Sequence, residues 1–194
     1  MMEEVRDDCE IQIIIDNFIT NFVIPDDLHL YVNYRHRSGG SPLCILCDRL
    51  GILQQEEKIA KLIELGADVN VSNTYIGITP LVLHLRGYWE KNLNIVRMMI
   101  HAGTNVNTVY NFFPLHVDPT STREYVELCP LSTCILTPHK DSKAVMYDII
   151  NLLLESGANV NYVNNMGIPA WVYCFYSTLM RRKITQPMST IFLY

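Results

Sequence analysis

The chain has 194 residues, enough for one domain or two very small ones. Apolar residues make up 49% and charged residues 18%, a foldable composition and not that of a disordered chain. Fifteen Lys and Arg against 20 Asp and Glu leave a formal charge of −5, which argues against nucleic acid as the partner.

Two short basic clusters, Arg35-His36-Arg37 and Arg181-Arg182-Lys183, are too small to reverse that balance. No uninterrupted apolar run approaches the roughly 18 residues a membrane-spanning helix needs. The acidic start, Met1-Met2-Glu3-Glu4-Val5-Arg6-Asp7-Asp8, is not a secretory signal. A soluble cytosolic chain is expected, with its six cysteines reduced.

Residues 9–22 read as an amphipathic helix with Ile11, Ile14, Ile15, Phe18 and Phe22 on one stripe. Asp7, Asp8 and Glu10 suit its N-terminus through the macrodipole. Residues 1–37 are therefore predicted to form a helical cap or degenerate first unit.

From residue 38 two phrases recur. The first reads Gly40-Ser41-Pro42-Leu43, Gly77-Ile78-Thr79-Pro80-Leu81, Cys129-Pro130-Leu131 and Gly167-Ile168-Pro169-Ala170. Proline fits the first turn of a helix, and the hydroxyls of Ser41 and Thr79 can cap it. The second phrase closes each unit: Leu65-Gly66-Ala67-Asp68-Val69-Asn70, Ala102-Gly103-Thr104-Asn105-Val106-Asn107 and Ser156-Gly157-Ala158-Asn159-Val160-Asn161. Apolar columns precede it: Ile59, Val96 and Ile150; Leu62, Met99 and Leu153; Ile63, Ile100 and Leu154. Spacings of three and four put them on one helical face, and the glycine stops the helix. Leu62, Ile100 and Leu153 are predicted to be buried between neighbouring units.

These phrases resemble the ankyrin repeat, over about residues 38–178. The openings at Pro42, Pro80, Pro130 and Pro169 lie 38, 50 and 39 residues apart, against the family's period of about 33. The extra residues fall at 48–57 and 87–94 and in an insertion near 108–128. Cys44, Val82, Ser132 and Trp171 stand where the family has its opening histidine, so that residue's bonds between turns are not expected. Long inter-helix loops, degenerate openings and well-kept closes resemble the ankyrin proteins of poxviruses. The resemblance implies an all-α ankyrin solenoid of about four units over 38–180, with a tail at 181–194. The F-box-like segment common in that family has no counterpart in the sequence.

Chemistry is sparse. Cys44-Ile45-Leu46-Cys47 has zinc-site spacing but no second such pair, and reduced cysteine suits the small apolar columns in which these residues sit. No stoichiometric zinc or other cofactor is expected. The six histidines are scattered, and no nucleophile elbow or phosphate loop occurs. Gly39-Gly40 reads as the turn that opens the first unit. Tyr110-Asn111-Phe112-Phe113 puts large apolar side chains in a loop, either to cover the solenoid edge or to anchor a partner. Candidate contact residues are Tyr110, Phe112 and Phe113 in that insertion, and Asn73, Thr74, Tyr75, Asn164 and Asn165 at turn tips.

A first helix at 169–180 carries Trp171, Val172, Phe175, Tyr176 and Leu179 with no second helix after it. Either the tail covers these residues or the chain self-associates through this end. The expected function is non-catalytic protein binding, with no nucleic-acid or membrane partner. The resemblance implies a host protein of innate immunity, in NF-κB-type signalling or host range, met in the host cytoplasm. The alternative is a non-functional remnant of a longer ankyrin and F-box ubiquitin-ligase adaptor. An enzyme is not expected.

Overall fold

The structure is a computed structural model that describes residues 6–37, 39–48, 52–72, 77–87, 92–112, 125–137 and 143–173. These residues are mostly helical. They form α1 (Asp8–Asn21), α2 (Pro42–Asp48), α3 (Gln55–Glu64), α4 (Pro80–Arg86), α5 (Leu93–His101), α6 (Pro130–Leu136) and α7 (Lys143–Glu155). Two short strands, β1 (Tyr110–Phe112) and β2 (Val126–Leu128), complete the set with 3-10 turns at Leu28–Leu30 and Ala170–Val172. Among the described residues no helix is long and apolar enough to cross a membrane.

The short helices pack in one series, α2 on α4 on α6, and α6 meets the turn at Ala170–Val172. The longer helices pack in a second series, α3 on α5 on α7. Each short helix also touches the longer helix that follows it, and α1 packs on α2. Burial explains the division. Pro42–Cys47, Pro80–Leu85 and Pro130–Ile135 are buried on every side, as a helix apolar all round must be. The longer helices α3 and α5 each bury one stripe instead.

The capping signals behave as their chemistry requires. Asp7 accepts from Glu10 N–H at 2.8 Å. Ser41 Oγ accepts from Cys44 N–H at 3.3 Å and Thr79 Oγ1 from Val82 N–H at 3.5 Å. Gly66, Gly103 and Gly157 stand at φ of 89, 89 and 88°, the left-handed region where a β-carbon is unfavourable. After each, the next N–H returns to the helix: Ala67 to Leu62 at 2.9 Å, Thr104 to Met99 at 3.1 Å, Ala158 to Leu153 at 2.9 Å.

Leu62, Met99 and Leu153 are wholly buried, as are Ile59 and Val96. Ile100 departs from its predicted burial: it is half-buried, and Met99 fills that place. A further buried column stands one residue earlier and reads Lys58, Ile95 and Ile149, at 1, 1 and 0% exposure. A lysine thus occupies an isoleucine position. Its Nζ donates to Ile19 O at 2.7 Å and lies 5.8 Å from the centre of the Phe22 ring. A cation there meets the partial negative charge at the C-terminus of α1.

His84 is also buried, and its Nε2 accepts from Asn92 N–H at 3.1 Å. Asn92 caps α5 and donates to Glu56 Oε2 at 2.7 Å, tying α3, α4 and α5 together. Cys44, Cys47 and Cys134 are buried in the short helices, in keeping with the apolar columns read for them. The fourth first helix read at 169–180 begins with the Ala170–Val172 turn; Phe175, Tyr176, Leu179 and the whole tail lie outside the described residues.

Candidate partner-binding surface

Three asparagines join successive helix stops. Asn33 Nδ2 donates to Gly66 O at 3.1 Å while its Oδ1 accepts from Asp68 N–H at 2.7 Å. Asn70 makes the same pair with Gly103 O and Asn105 N–H, at 3.0 and 2.7 Å. Asn107 repeats it with Gly157 O and Asn159 N–H, at 2.9 and 2.7 Å. An Asx turn presets the last two: Asn70 N–H donates to Asp68 Oδ1 at 2.8 Å and Asn107 N–H to Asn105 Oδ1 at 2.9 Å. These bonds tie neighbouring turns together where an opening histidine is missing. Asn33, within the segment read as a cap, takes the same role as the two that follow.

The insertion near 108–128 contains a β-hairpin, where the sequence reads as loop. β1 and β2 are antiparallel, with Tyr110 opposite Leu128, Asn111 opposite Glu127 and Phe112 opposite Val126. Tyr110, Val126 and Leu128 are buried, so the alternation of β-formers wins locally. Tyr110, read as a possible anchor, is only 3% exposed and serves the interior. Its hydroxyl lies 2.9 Å from Thr133 Oγ1. Thr133 Oγ1 already donates to Cys129 O at 2.8 Å, so Tyr110 is the donor.

Asn164 is committed within the molecule, which corrects its reading as a contact tip, whereas Asn165 is exposed and bonded to the hairpin. Asn164 is buried; it donates to the Tyr173 hydroxyl at 2.7 Å and accepts from Met166 and Ile168 N–H at 3.0 and 2.9 Å. Asn165 lies along β2, accepting from Glu127 N–H at 2.9 Å and donating to Tyr125 O at 2.8 Å. Its amide imitates a neighbouring strand and so blunts an open edge. Asn73, Thr74, Tyr75 and Phe113 lie outside the described residues.

Of the predicted contact residues in the insertion, Phe112 keeps exposed surface, at 37%. The hairpin and the turn bonded to it expose further apolar side chains. Tyr125 precedes β2 and is exposed, as are Val163 and Met166 on the turn that Asn165 and Tyr162 fasten to β2. Exposed apolar side chains thus stand on β1, before β2 and on the turn fastened to β2, with polar Asn111 and Glu127 between the strand ends, a composition suited to a protein partner.

Burial pushes Tyr110 up to about 12. Tyr162 is also raised to about 12, by burial and then by its hydroxyl bond to the Glu127 carboxylate. Burial raises Cys44, and raises Cys47 well above the ordinary thiol value. Both thiols are thus held protonated near neutral pH and are poor nucleophiles. Tyr110→Phe is expected to destabilise the protein by about 1–2 kcal/mol at neutral pH, because Thr133 loses a buried donor. The unfolded chain releases the Tyr110 proton near pH 10 and the folded one near 12. The stability tied to that proton is full below pH 10 and is lost as pH rises to 12. Urea unfolding across that window should show a shallower decline in the variant.

Family models and curated proteins were compared with this chain, and neither comparison finds a match.

Proposed function

We propose that the chain is an ankyrin-type solenoid that binds a protein partner without catalysis. The observation that carries the reading is the threefold recurrence of one unit. Each has a proline-led buried helix, a longer striped helix and a left-handed glycine stop, and in the first two units Asn70 and Asn107 grip the next stop. Units stacked in this way make an extended surface on which partners dock. Exposed Phe112, Tyr125, Val163 and Met166 supply apolar anchors on that surface. Raised thiol pKa values and histidine and asparagine side chains spent on backbone groups favour binding over chemistry. Together with the resemblance to poxvirus ankyrin proteins, this gives a host protein of innate-immune signalling as the partner, met in the host cytoplasm.

Affinity purification from host cells, read by mass spectrometry, tests the reading. The wild-type chain should capture one host protein reproducibly. A Phe112→Ser, Tyr125→Ser, Met166→Ser variant with an unchanged melting curve should lose it. No reproducible capture would favour the non-functional remnant. Capture that survives the triple substitution would move the binding surface elsewhere.

A further inference from the structure

Asn161 continues the series of Asn33, Asn70 and Asn107. Its N–H donates to Asn159 Oδ1 at 3.0 Å, the same Asx turn that presets Asn70 and Asn107. Its side-chain amide is exposed and has no partner among the described residues. The face around it is uncovered as well. Val69 and Val106 are 4 and 6% exposed, whereas Val160 in the same column is 41% exposed.

The opposite end displays the matching half. Each asparagine of the series grips the carbonyl of a left-handed stop residue and the N–H two residues later. The stop of α1 is Phe22, left-handed at φ 57°. Its carbonyl and the Ile24 N–H stand in the same sequence relation, on a stop that closes one residue wider, and neither is engaged among the described residues. Val23 and Ile24 beside them are 51 and 45% exposed.

We propose that Asn161 of one copy grips the Phe22–Ile24 stop of a second copy, so that the chain associates head to tail. The occupant is a second copy because this chain itself carries the loop that the open asparagine fits, with uncovered apolar side chains on both faces. A copy used this way keeps its own Asn161 and its own Phe22 stop at opposite ends. Such an interface is heterologous and does not close, so it extends into linear oligomers.

Sedimentation velocity on the full chain, from low micromolar to near-millimolar concentration, tests this. The wild type should grow past the dimer as concentration rises. Asn161→Ala at the tail and Ile24→Glu at the head should each weaken association about tenfold or more, by loss of two hydrogen bonds or by burial of a charge. Melting temperature and circular dichroism should stay unchanged. Asn161→Asp, which keeps size and acceptor but loses the donating amide, should weaken association in the same way. Mixing the head variant with the tail variant should restore dimers and nothing larger, because only one intact junction remains. A wild type that is monomeric throughout overturns the proposal. So does association that both variants retain, or a mixture that fails to pair, which would point to a symmetric contact.

Discussion

Leu153→Ala is expected to lower the unfolding free energy by about 2–5 kcal/mol, as a truncation that opens a core cavity does. Leu153 is wholly buried on α7, where that helix meets α5 and α6. Leu62 and Met99 hold the same place in the preceding units and are equally buried. Collapse around the missing methyl groups is restricted, because the neighbouring helices are pinned by the stop-to-stop bonds of Asn107. The adjacent Leu154 supplies an internal control. It is 40% exposed, so Leu154→Ala removes far less buried area at the same helix-propensity change and should stay within about 1 kcal/mol. Urea unfolding of the two variants checks the helix register. Equal losses would mean that the buried stripe of α7 is set one residue wrong.

Lys58→Ala is expected to destabilise the protein by about 2–4 kcal/mol, combining a lost buried stem with lost charge-assisted hydrogen bonds. The side chain fills a column occupied elsewhere by Ile95 and Ile149, and its ammonium reaches carbonyls at the end of α1. Without it Ile19 O loses its 2.7 Å donor. Lys58→Met separates the parts, because it keeps the apolar stem and removes only the amine. Burial lowers the Lys58 pKa. Between the lowered folded value and the ordinary unfolded one the unfolded chain holds more protons, so stability from this group rises with pH there. Below the folded value the penalty for burying the cation is present in full. Thermal melts at rising alkaline pH should show that upward leg in the wild type and not in Lys58→Met. The comparison is cleanest below pH 10, before Tyr110 and Tyr162 begin to act in the opposite direction.

The candidate surface was legible only in part. Phe112 could be chosen from sequence because large apolar residues in a connection stand out. Tyr110 could not be told from it, because the two share a strand face and only Tyr110 reaches α6, with its hydroxyl against Thr133. Asn164 and Asn165 look alike as turn-tip residues. One is buried against Tyr173 and the other lies along β2. Their hydrogen bonds reach residues 9 and 40 positions away, a separation no local pattern encodes. Lys58 was readable in principle. Aligning the helices one position earlier puts it beside Ile95 and Ile149, and a lysine in an isoleucine column calls for a polar partner.

The helices and their punctuation can be read from the order of residues alone. Proline at the first turn, hydroxyls before it, glycine after the last turn and apolar spacings of three and four all act within a few residues, so composition and order suffice. What each stop is fastened to is set by packing. Asn33, Asn70 and Asn107 are bonded to stops about 33–52 residues ahead, and β1 finds β2 across a long insertion. Such pairings form only when stacking brings distant backbone groups together out of water, where leaving a donor or acceptor unpaired is expensive. The two differ in range: local sterics and capping are written residue by residue, whereas the fate of a polar group depends on which distant group the packed helices place beside it.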